Sequence, residues 1–165
     1  MSTEAFIREY FAGEKSEAAL ILLAGIACLV VAAWLWLWIR EPFARGVAGA
    51  LMLSATLGLG VGGTVYLRSD RQAQQLVELQ AADPARFASE EGSRMRKVMA
   101  GFSQYRLGYA AAVVLALVLV FGLGSGLSQG VAVGLLVLAA LGFTIDYFAQ
   151  ERAEIYLQQM PGLAP

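Results

Sequence analysis

Asp146 is a carboxylate at the edge of a long apolar segment. It follows directly on the charge-free run Leu107 to Ile145, 39 residues long, in the sequence Phe143-Thr-Ile-Asp146-Tyr-Phe-Ala-Gln-Glu-Arg-Ala-Glu154. A charge inside hydrocarbon costs about 2.5 kcal/mol or more, so an ionisable residue there is a candidate for function. Asp146, Gln150 and Glu154 recur every fourth residue and form one polar stripe on a helix. Glu14, Lys15 and Glu17 precede the first apolar run, Arg68 and Asp70 follow the second, and Arg106 precedes the third. The candidate site is therefore an inner rim of Glu14, Lys15, Glu17, Arg68, Arg106, Asp146, Gln150 and Glu154. Two chemistries are open to it. One is a ring of ion pairs that locks and orients a helix bundle. The other is a polar pocket, with Asp146 accepting a proton or cation and Arg68 or Arg106 anchoring an anion.

Other chemistry is poorly provided for. The chain has no histidine and one cysteine, Cys28, which lies within an apolar run. Zinc sites, histidine-ligated haem, Cys/His catalysis and intramolecular disulfides lack their residues, and no metal or cofactor is expected. There is no Ser/His or paired-carboxylate arrangement to support an enzyme. No apolar run carries a charge near its middle, so an ion-coupled transport site at the midplane lacks its usual acid. The net charge of −1 offers no clustered positive excess for nucleic acid. Gly58-Leu-Gly-Val-Gly-Gly63 matches the spacing of a dinucleotide-binding turn, but it lies within an apolar helix with no strand before it.

The elements that hold these residues follow from how charge is distributed. Of 165 residues, 58% are hydrophobic and 15% charged. A hydrocarbon core about 30 Å thick requires roughly 20 consecutive apolar residues per helix. Ala18 to Ile39 and Gly46 to Leu67 each supply 22. The third run, Leu107 to Ile145, is too long for one crossing and turns at the Gly-rich stretch 122–130. The expected fold is an all-α integral membrane four-helix bundle forming a single domain over 1–165. Its spans lie at about 18–39, 46–67, 107–123 and 130–148, and spans 2 and 3 extend into a cytoplasmic helical hairpin at 68–106. The first span is read as a retained helix, because the segment before it carries Glu4, Glu9, Glu14 and Glu17 where a signal peptide is basic.

Ten of the 12 basic residues fall in the amino-terminal segment, the hairpin and the tail, which marks that face and both termini as cytoplasmic. Trp34, Trp36 and Trp38 then sit in the outer headgroup layer, beside the short turn Arg40-Glu-Pro-Phe-Ala-Arg45.

Span 2 carries a small residue every fourth position, at Gly46, Ala50, Ser54, Gly58 and Gly62, a groove that lets another helix backbone approach. Packing within the bundle and homo-oligomerisation are both open to it. In the hairpin, Asp83-Pro84 predicts a stop and restart, and Ser89-Glu-Glu91 offers a second capping signal. Met95, Val98, Met99 and Phe102 form an apolar stripe expected to face Leu76, Val77 and Leu79, or a protein partner. Arg94, Arg96 and Lys97, with Phe102, are candidates for contact with a partner or with anionic membrane lipids.

Asp83-Pro-Ala-Arg-Phe87, Glu91, Arg94-Met-Arg-Lys-Val98-Met, Phe102 and the run Asp146 to Tyr156 together resemble uncharacterised small four-span bacterial inner-membrane proteins. The resemblance implies the topology and no activity. The expected function is that of a non-enzymatic inner-membrane protein working through helix or partner contacts, of accessory, assembly or toxin-immunity type. The alternative is a small oligomeric channel or transporter with a cytoplasm-facing pocket around Asp146.

Overall fold

The computed structural model describes residues 2–160. They form four α-helices: α1 (Thr3–Trp38), α2 (Pro42–Ala82), α3 (Pro84–Val118) and α4 (Gly126–Gln159). There is no strand among the described residues. All four helices are long and apolar enough to cross a membrane. Each is also longer than a crossing requires: 34 residues, the shortest, measure about 51 Å at 1.5 Å per residue. The surplus is polar, so the bundle has an apolar half and a polar half.

The connections are short. Ile39 to Glu41 joins α1 to α2, with Pro42 in the first turn, where its missing N–H costs nothing. Asp83 alone joins α2 to α3, and its carboxylate accepts the Arg86 amide at 3.0 Å. Helix α3 then runs unbroken past Ser89 and Glu91, because Asp83 and Pro84 have already capped it and the later signal falls inside a continuing helix. At its far end α3 loosens into a π turn, Leu119–Leu123. Gly124 turns the chain with φ of 60°, a left-handed conformation suited to glycine. Ser125 caps α4 by accepting the Ser128 amide at 3.1 Å, so α4 begins at Gly126, ahead of the span start expected at 130.

The polar half holds the largest core. Ile7, Tyr10 and Phe11 of α1, Ala73 of α2, Phe87, Met95 and Phe102 of α3, and Ala153, Tyr156 and Met160 of α4 bury one another. Leu76, Val77 and Leu79 pack against this cluster as the hairpin stripe predicts, and α1 and α4 complete it. Ile7, Tyr10 and Phe11, spaced by three and one, share a helix face.

In the apolar half the helices meet through small residues. Gly46 of α2 lies against Gly130 and Val131 of α4, and Gly130 lies against the Phe43 carbonyl. Gly58 and Gly62 of α2 lie instead against Ile21, Gly25 and Ala18 of α1. Ala116 packs with Ala132 and Leu135 between α3 and α4. Among the described residues the backbones of α1 and α3 stay apart, and these two helices meet only through side chains.

Candidate functional site

The charged rim divides into paired and unpaired members. Glu14 accepts the Ser69 hydroxyl at 3.0 Å and lies 3.6 Å from Arg68. Lys15 pairs with Asp70, and this hydrogen bond raises the lysine's pKa. Glu17 pairs with Arg152, whose aliphatic chain also crosses Gly13. These contacts tie α1 to α2 and to α4. Gln150 donates to Glu154 at 2.7 Å within α4. Partly exposed pairs of this kind contribute about 0–1 kcal/mol each, so they orient helices more than they stabilise them.

Asp146 has no such cation. Its partner is Tyr109 of α3, whose hydroxyl donates to Oδ2 at 2.8 Å. Tyr109 is held there because its ring lies against Gly142, one turn before Asp146, where any side chain would collide with it. Arg106 is exposed and makes no ion pair with another described residue. It shares with Asp146 a small cleft of about 30 Å³, also lined by Phe102, Phe143, Tyr147 and Gln150.

Asp146 also lines the polar end of a larger, partly open cavity. Ile21, Gly25 and Cys28 of α1, Ser54, Leu57, Gly58 and Val61 of α2, Tyr105 and Tyr109 of α3, and Leu138, Leu141, Gly142 and Ile145 of α4 line about 380 Å³ of mostly apolar space. The Ser54 hydroxyl donates back to the Ala50 carbonyl at 3.0 Å, so it is not free for a guest. The polar groups left to the cavity, Tyr105, Tyr109 and Asp146, lie at the border with the polar half. A groove lined by all four helices thus runs from mid-helix to a carboxylate.

A second ionic cluster lies deep in the polar half. Glu91 is fully buried and takes a two-pronged pair of hydrogen bonds from Arg94 Nε and Nη2, both at 2.7 Å. The Arg94 guanidinium also lies 5.5 Å from the Tyr10 ring and 5.2 Å from Phe11. Burial opposes the Arg94 charge, but the hydrogen bond and field of Glu91 outweigh it, so the pKa rises further above its ordinary value. Tyr156 is buried beside the same carboxylate, and burial followed by the Glu91 charge pushes its pKa up. Tyr10, stacked on Tyr156 at 4.5 Å, is raised chiefly by burial.

Arg94 and Phe102 therefore belong to the interior, whereas Arg96 and Lys97 are exposed. A surface groove of about 400 Å³ between α1 and α4 is open, with Glu9, Glu17, Glu151 and Arg152 set in a mostly apolar lining. No three Asp, Glu or Cys side chains among the described residues gather closely enough to hold a metal ion.

Sequence reasoning singled out neither Tyr109 nor the burial of Glu91. Tyr109 is the only tyrosine in the run from Leu107 to Ile145, a signal that was legible. Glu91 lies four residues after Phe87 and four before Met95, on the apolar stripe itself. No family model, curated protein or solved structure matches this chain.

Proposed function

We propose that this chain is a non-enzymatic, multi-pass protein of the bacterial inner membrane, with its polar half and both termini in the cytoplasm. It acts by contact, as an accessory, assembly or toxin-immunity factor, holding an apolar membrane component in the groove that ends at Asp146. The observation that carries this reading is the groove itself, about 380 Å³ of mostly apolar lining drawn from all four helices. In lipid, association depends on close packing against such surfaces, because no hydrophobic force separates a protein surface from the tails around it. The orientation is supported by the ten basic residues on the polar side against Arg40 and Arg45 on the other.

A small oligomeric channel or transporter is the second reading, favoured by Asp146 lining both the groove and the adjoining cleft. Against a through-path, α2 and α4 touch backbone to backbone at Gly46 and Gly130, on the far side of the groove from Asp146.

The contact reading is tested by filling the groove. Val61→Trp and Leu141→Trp place an indole in it, and Leu115→Trp places one on an exposed face of α3 outside it. A component that co-purifies with the wild-type protein is expected to be lost from the first two variants and kept by the third. Equal retention by all three would overturn the reading, and ion flux in vesicles that Val61→Trp abolishes would replace it with the transporter.

A further inference from the structure

We infer that the groove holds one acyl chain of a cytoplasmic-leaflet phospholipid with a primary-amine headgroup, the ammonium donating to Asp146 and the phosphate meeting Arg106. This rests on the reading above and names the occupant. Three observations carry it. The first is length. From Leu138 to Asp146 the α4 wall of the groove covers about 12 Å at 1.5 Å per residue, close to the ~15 Å of one leaflet. An occupant anchored at Asp146 therefore reaches mid-bilayer near Cys28 and Leu138 and stops, as a single tail does.

The second is charge. At the headgroup end stand a carboxylate whose one partner among the described residues is a neutral phenol and a guanidinium with no ion pair among them, both lining one small cleft. Of the other rim acids and bases, Glu14 pairs across helices with Arg68, Lys15 with Asp70 and Glu17 with Arg152, while Glu154, a helical turn or more further from the groove, takes the Gln150 amide within α4. One unpaired group of each sign, adjacent at the membrane border, complements a zwitterion. An anionic headgroup would leave Asp146 opposed, and a simple amine would leave Arg106 unanswered.

The third is hydrogen bonding. Tyr109 occupies Oδ2 of Asp146, so Oδ1 is the acceptor open to a guest N–H. A primary ammonium donates to it and a quaternary one cannot, although both carry the charge. A partner helix crossing the bilayer would need a groove of about 30 Å, whereas the α4 wall of this one covers about 12 Å.

The test is competitive retention. The full-length protein is placed in nanodiscs of equal phosphatidylethanolamine, phosphatidylcholine and phosphatidylglycerol, released, and the retained lipid identified by native mass spectrometry. Phosphatidylethanolamine is expected to exceed phosphatidylcholine about tenfold, the effect of one charge-assisted hydrogen bond. Asp146→Asn should abolish that preference, Arg106→Gln should lower retention of all three lipids, and Val61→Trp should abolish retention. Tyr109→Phe, which frees Asp146 without removing it, should keep the preference and so separates lost binding from lost folding. Equal retention of the three lipids by the wild type, or an unchanged preference in Asp146→Asn, would overturn the inference. Lipid retention that Val61→Trp leaves intact would overturn it too, because the lipid would then lie outside the groove. A protein cross-linked to the groove would sink the lipid while leaving the contact reading standing, whereas an empty groove would sink both.

Discussion

At the scale of single residues, the polar half depends on one buried carboxylate. Glu91 lies fully inside the core with Arg94 as its charged partner, and removing one member of a buried pair typically costs about 3–5 kcal/mol. Arg94 retains some exposure, so Glu91→Gln should lower stability by about 3 kcal/mol, near the bottom of that range. Glu4→Gln, which breaks an exposed pair with Arg8, should cost under about 0.5 kcal/mol. Denaturant unfolding of the two variants in the same detergent checks the contrast. Tyr156 gives a second residue-level prediction. Its hydroxyl is buried beside Glu91, and its folded pKa lies above the ordinary 10.0. A raised folded pKa means that its contribution to stability is complete below about pH 10 and is lost as pH climbs from there toward the folded value. Thermal melts of wild type at pH 8 and pH 11 should therefore differ, and Tyr156→Phe should lose less between the two.

At the scale of the helix, the small residues of α2 divide their work between two neighbours, and the reason is the helix repeat. At 3.6 residues per turn, a step of four advances about 40° beyond a full turn, so Gly46 and Gly62 stand roughly 160° apart. Gly46 and Ala50 consequently meet α4, whereas Gly58 and Gly62 meet α1. Gly46→Ala and Gly130→Ala each set a methyl against opposing backbone and should destabilise by about 1–3 kcal/mol. Gly60→Ala meets open space and should be neutral or better. Differential scanning of the purified variants separates the two groups. The four helices, the Asp83-Pro84 joint and the stripe of Met95 and Phe102 were all legible, because each follows from local chemistry or from spacing along one helix. The partner of Asp146 was not. Tyr109 lies 37 positions away on another helix, and nothing in either local sequence states that the two helices place them together. The same holds for α1, whose Ile7, Tyr10 and Phe11 complete a four-helix core that nothing in their local sequence states.

At the scale of the whole molecule, two bundles are joined: a charged one that fixes the helices, and an apolar one in which they part around a groove. Orientation is checked on a Cys28→Ser background. A cysteine at Arg40 should react from outside intact cells with an impermeant maleimide, and a cysteine at Arg71 should react only after the membrane is opened. The most direct test of the central claim is photo-crosslinking in living cells, with benzoylphenylalanine at Leu57 or Leu141 inside the groove and at Leu115 on the exposed face. A discrete adduct that Asp146→Asn weakens is expected from both groove positions, and only diffuse labelling from Leu115. Indistinguishable labelling at all three positions would contradict it.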